Sequence, residues 1–174
     1  MKIIKFLISL VICNLYRLLR FIPNNDPIMG VMLPYSKNSK WYTSALFAGL
    51  TMVSFDLITG MLGVWTIVTA VTYAGLGILF HFLYKNRRVN LKHYICSGIL
   101  GVLIFDFITG PIMSSLMFGM SFMEAFIGQI PFTLWHLVSV TTFIVILVPS
   151  LDKHLINNLE LEDSKILNRI GVKA

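Results

Sequence analysis

Charge is what this 174-residue sequence has least of. Asp, Glu, Lys and Arg together make up 13% of it, against 56% hydrophobic residues and a mean hydropathy of +0.80. A soluble domain carries about 25% charged residues because its surface must be wetted, and this chain cannot cover such a surface. Its two cysteines are too few for a disulfide scaffold, and its apolar content excludes a disordered chain. Residues 41–84 hold a single formally charged side chain, Asp56, and residues 93–150 hold only Asp106 and Glu124. What these absences leave is an integral membrane protein.

The net charge of +6 is a matter of placement. Nearly all Lys and Arg sit in short polar connections and at the two ends, the pattern of a chain threaded through a bilayer. No clustered basic face with groove-reading elements appears, so nucleic acid is excluded as a partner. The opening MKIIKFLISLVICNLYRLLRF has the Lys-bearing start of a secretory signal. No small-x-small cleavage site follows, and the residues before Cys13 match a lipoprotein box poorly, so the segment reads as a retained first helix. Cys13 and Cys96 lie in apolar segments and read as buried thiols.

A helix crossing the hydrocarbon core needs about 20 mostly apolar residues. Beyond the first helix, 41–60, 62–84, 94–117 and 121–150 qualify. The last is long for one straight span and contains Pro131, which predicts a kink or a short outer segment before it. Pro27–Tyr35 is a short span or a re-entrant piece buried against other helices. If it crosses, every one of the 14 basic residues except Arg17 and Arg20 falls on one side. If it does not, the 85–92 segment falls on the other side, against the positive-inside rule. The expected fold is therefore an all-α membrane protein with six transmembrane helices in residues 1–150, one of them short or re-entrant (27–35). Both termini are cytoplasmic, 151–174 forms a cytoplasmic tail, and the chain is a multi-pass protein of the cell membrane.

The polar residues inside this apolar sequence are the candidate site. Arg17 and Arg20 end the first helix and run into Asn24, Asn25 and Asp26. They either snorkel to headgroups or form the rim of an outward-facing site. Phe55-Asp56-Leu57-Ile58-Thr59-Gly60 recurs as Phe105-Asp106-Phe107-Ile108-Thr109-Gly110, and each copy is expected to end a helix at a tight turn. An Asp there is costly unless paired. The Thr three residues on shares its helical face and can bond the carboxylate, and the Gly permits a positive-φ turn. Asp56 and Asp106 either cap the next helix or contact a substrate or ion.

Glu124, Gln129 and His136 are expensive in lipid and should face protein or a wet cavity. Trp65 and Trp135 either stack on a flat ligand or act as anchors, and Trp41 reads as an inner-interface anchor. Small residues four apart, Ser44/Ala48, Ala45/Gly49 and Ala70/Ala74, permit close helix packing. No nucleophile elbow, His-Glu-x-x-His pair, metal-spaced Cys/His cluster or phosphate-binding loop is present, so neither catalysis nor a cofactor or metal is expected.

The Arg-ending first helix, the Asn24-Asn25-Asp26-Pro27-Ile28 entry and the Asp56–Gly60 corner leading into Gly63-Val64-Trp65-Thr66 have a counterpart in a known family. So does Gly128-Gln129-Ile130-Pro131-Phe132-Thr133-Leu134-Trp135-His136, followed by an apolar helix ending at Pro149. Over roughly residues 10–150 they resemble the substrate-binding S component of energy-coupling factor (ECF) transporters. The resemblance implies a six-helix subunit that captures a vitamin or related micronutrient from outside, served by a transmembrane coupling subunit and two ATPase subunits. One departure is that the first helix has no alanine, whereas family members often dock through an Ala-x-x-x-Ala pattern there. The rival expectations are a structural or assembly membrane protein without a ligand, and a secondary transporter.

Overall fold

The computed structural model describes residues 2–19 and 25–152, and all its regular structure is helical. Arg20, Asn24 and the tail from 153 to 174 lie outside the described residues. The helices are α1 (Lys2–Leu18), α2 (Ile28–Asn38), α3 (Trp41–Thr59), α4 (Val64–Tyr84), α5 (Leu91–Phe118) and α6 (Phe122–Leu151). Four of them, α3 to α6, are long and apolar enough to cross a membrane. That length and composition mark a membrane protein.

The organising element is the shortest described helix. α2 has 11 residues, about 16 Å of helix at 1.5 Å per residue, roughly half the hydrocarbon thickness. Ile28 through Pro34 and Ser36 are all buried, and α2 packs against α3, α4, α5 and α6. A helix apolar all round must be enclosed, and the four long helices enclose this one. Its C-terminal end lies beside the end of α4, where Lys37 Nζ donates to the Tyr84 and Arg87 carbonyls. Its N-terminal end consequently stops short of the opposite end of the bundle.

Successive helices alternate in direction. The start of α2, the α3–α4 corner and the α5–α6 corner share one end. The other end gathers the α2–α3 link, the α4–α5 loop and the close of α6, where the Tyr94 hydroxyl donates to Asp152 Oδ2 at 2.7 Å. Lys37, Lys40, Lys85, Arg87, Arg88 and Lys92 all belong to that second end.

The small-residue pairs serve packing inside the bundle. Ser44, Ala45, Ala48 and Ala70 are buried in the α3–α4 seam, and Gly49 faces Ala70 and Ala74. At the tightest point, a Cβ on Gly77 would stand 2.9 Å from the Ala45 nitrogen. The Gly77 carbonyl accepts the Ser36 and Ser44 hydroxyls, at 3.2 and 3.0 Å.

Three details differ from the sequence reading. Of the two options for the stretch 121–150, a kink or a short outer segment, the separate segment is absent: α6 runs as one helix through Pro131, because neighbouring packing holds a membrane helix across one missing N–H. Cys13 is buried but Cys96 is exposed on α5. The two copies of the repeat also differ. The first ends α3, with Gly60 at φ 68 and the Met61 N–H returning to the Asp56 carbonyl at 2.8 Å. The second does not end a helix. Residues Ile108–Ile112 form a π-helical turn that absorbs Pro111, and α5 continues to Phe118 before Gly119 closes it. A Cβ on Gly110 would meet Gln129 Oε1 at 2.5 Å, so this glycine serves a close helix approach instead of a turn.

The Gly77 contact gives a direct test. Gly77→Ala should lower stability by about 1–3 kcal/mol through overpacking. Gly75→Ala, where nothing lies within 4 Å of the added Cβ, should be neutral or slightly stabilising on helix propensity. Thermal melting of both variants in one detergent would check this.

Candidate functional site

Because α2 ends early, the space above its N-terminus is left open. It forms a cavity of about 600 Å³ walled by α1, α3, α4, α5 and α6, with Asn25 and Asp26 at its floor. That volume is typical of a small-molecule site. Helical phase selects which side chains reach it. On α6, Gln129, Phe132 and His136 recur at spacings of three and four and line it. On α4, Trp65, Thr69 and Tyr73 line it at successive spacings of four.

Its polar side is one connected network. His136 Nδ1 lies 2.8 Å from Asp106 Oδ1, and Nε2 lies 3.4 Å from Asp26 Oδ2. The Tyr73 hydroxyl also donates to Asp26 Oδ2, and Asp26 Oδ1 accepts the Ile28 N–H at 2.8 Å, which caps α2. The Asp26 N–H donates to Ser139 Oγ at 3.0 Å, Ser139 donates to Asn25 Oδ1 at 3.2 Å, and Asn25 Nδ2 donates to the Tyr16 hydroxyl at 2.7 Å. Asp26, Tyr73, Asp106 and His136 are all buried, so these bonds replace the water the groups have lost. A ring facing an ionised carboxylate on each nitrogen donates to both only when both nitrogens carry hydrogen, which makes it cationic.

On another wall, Arg17 lies with its guanidinium carbon 4.1 Å from the Phe55 ring centroid and Nη1 3.3 Å from Met52 Sδ. Among the described residues it makes no ion pair. No group of three or more His, Cys, Asp or Glu among them is arranged to hold a metal.

Seven of the candidate residues therefore converge on one cavity: Arg17, Asn25, Asp26, Trp65, Asp106, Gln129 and His136. Asp56 does not line it. Its Oδ2 accepts the Thr66 hydroxyl at 2.6 Å while Thr66 Oγ1 accepts the Gly63 N–H at 3.1 Å, which pins the start of α4 to the end of α3. The carboxylates thus take Thr66 and His136. Thr59 and Thr109, the residues three along, donate instead to the Phe55 and Phe105 carbonyls. Glu124 stands exposed in the first turn of α6, and Trp135 is 57% exposed. At about 100° per residue, Trp135 is a quarter-turn or more off the face that carries His136.

Tyr16, Tyr73 and Ser139 are members of the network that the sequence reading passed over. Tyr73 was detectable, since Thr66, Thr69 and Tyr73 make a polar stripe at spacings of three and four along the mostly apolar α4.

Comparisons with protein-family models, with curated proteins and with solved structures give no match. The cavity itself is thus the basis for a functional reading.

Removing the shared imidazole should be severe. His136→Leu leaves Asp26 and Asp106 buried without their common partner and should cost about 3–5 kcal/mol. Glu124→Gln and Trp135→Leu, outside the cavity, should each change stability by less than about 0.5 kcal/mol. Denaturation of the three variants in matched micelles measures the contrast.

Proposed function

We propose that this chain is a membrane-embedded capture subunit, which binds a small water-soluble solute on the outer side of the cell membrane and passes it to energised partners. The observation that carries the reading is the polar cavity of about 600 Å³ at the end of the bundle opposite the cluster of Lys37, Lys40, Lys85, Arg87, Arg88 and Lys92. A cavity with a buried Asp–His–Asp network is costly to maintain in a membrane protein, and intramembrane ionisable groups mark solute pathways by default.

The positive-inside rule orients the molecule on this reading. The end carrying Lys37, Lys40, Lys85, Arg87, Arg88 and Lys92 is cytoplasmic, both termini lie there, and the cavity opens outward. All six helices then cross or enter the bilayer, α2 as a half-length helix shielded by the others.

The arrangement also suits the resemblance to the S component of an ECF transporter. Under that reading the solute is a vitamin or similar micronutrient, and uptake needs a transmembrane coupling subunit and two ATPase subunits. The chain itself is then no enzyme and carries no nucleotide-binding loop. The small-residue seam between α3 and α4 is spent on internal packing, so a coupling subunit would meet another face.

Two measurements test this. With Cys13 and Cys96 replaced by alanine, a cysteine at Met61, which is exposed at the α3–α4 corner, should react with an impermeant thiol reagent in intact cells. One at Asn86 should be protected, and labelling of Asn86 would overturn the orientation. In liposomes, the purified chain should bind a co-isolated solute without accumulating it. Concentrative uptake driven by an ion gradient would make it a secondary transporter instead.

A further inference from the structure

We infer that the solute is a ring-bearing zwitterion, with a carboxylate that pairs with Arg17 and an ammonium or similar N–H donor that takes the open oxygen of Asp106. This rests on the capture reading above and names the class of molecule captured.

Two groups in the cavity wall have bonding capacity left unused: Arg17 makes no ion pair among the described residues, and one oxygen of Asp106 accepts no hydrogen bond among them. The Arg17 guanidinium lies against a ring face and a thioether, and among the described residues no carboxylate is in ion-pair contact with its fork of donors. One guanidinium matches one carboxylate through two parallel N–H···O bonds. Asp106 is 4% exposed. Its Oδ1 is taken by His136, and its Oδ2 has no hydrogen-bond partner among the described residues. A buried carboxylate oxygen without a donor is expensive, so this position calls for an N–H from whatever fills the cavity.

The two groups stand on different walls. Arg17 is on α1, which packs on α3, and Asp106 is on α5, which packs on α6. A solute with only an anion leaves Asp106 unmet, and one with only a cation leaves Arg17 unmet.

The charge balance points the same way. If both carboxylates are ionised and the imidazole donates to each of them, its positive charge and that of Arg17 make the wall neutral. A net-neutral zwitterion keeps it so, whereas an ion would bury uncompensated charge in a low-dielectric space. Trp65, Phe105 and Phe132 also line the cavity, and aromatic side chains suit a flat ring by offset or edge-on packing.

The test uses the full chain in lipid nanodiscs and four probes. These are 4-(aminomethyl)benzoate and phenylalanine as zwitterions of two spacings, and benzoate and benzylamine as the single-charge halves. Equilibrium dialysis should show at least one zwitterion binding about tenfold or more tighter than either half. Arg17→Gln should lower that affinity about ten- to a hundredfold and leave benzylamine unchanged, while Arg17→Lys retains part of it. Asp106→Asn should weaken the zwitterion and benzylamine but not benzoate. If Asp106→Asn does not fold, Asp106→Glu should hold benzylamine binding within a fewfold. A zwitterion that binds no better than its stronger half overturns the assignment. So does a co-isolated solute lacking either charge, although capture itself would then stand. If no solute co-isolates and no probe binds, the capture reading falls and takes this assignment with it.

Discussion

One imidazole holds the cavity end of this protein together. His136, on α6, meets Asp106 on α5 and Asp26 at the start of α2, so a single side chain ties three helices at the depth where the cavity begins. Neither carboxylate could remain ionised and buried alone, since the loss of hydration would exceed what one weak partner returns. The Tyr73 hydroxyl and the Ile28 N–H share the load on Asp26. The same carboxylate that closes the network also caps α2, which couples placement of the central helix to integrity of the site.

The cavity is a consequence of a length mismatch. α2 supplies 11 residues where its neighbours supply 19 to 30, and it is anchored at the basic end. The missing half-helix becomes open space, and the side chains that would have packed on it line the void. Polar residues are tolerated there because they face one another and the void instead of lipid. The rest of the bundle is close-packed, with small residues bringing α3 and α4 together and apolar side chains turned outward along α1 and α6.

The duplicated hexapeptide has a different use at each position. In its first copy Asp56 reaches across a tight corner to Thr66, and Gly60 takes a left-handed turn. In its second copy Pro111 follows the glycine, a π-helical turn replaces the corner, and Asp106 reaches His136. Near-identical residues thus give a structural staple in one place and a cavity wall in the other. What differs is the residue that follows and the helix that stands opposite.

The sequence by itself determined the class of molecule and the positions of the four long helices. Scarce charge and runs of about 20 apolar residues have few physical solutions other than spanning helices. It also singled out seven of the fifteen residues that line the cavity, chiefly because a polar group inside an apolar run is costly and so conspicuous: Asp26, Asp106, Gln129 and His136 stand out for that reason. The sequence was silent on helical phase relative to neighbours, and only the tertiary structure decided this. Phase is why Tyr73 and Ser139 join the network, why Trp135 turns outward one residue from His136, and why Asp56 serves a corner. Whether Pro111 and Pro131 break their helices was likewise a tertiary matter, since a missing N–H is tolerated wherever packing on adjacent helices holds the backbone on either side.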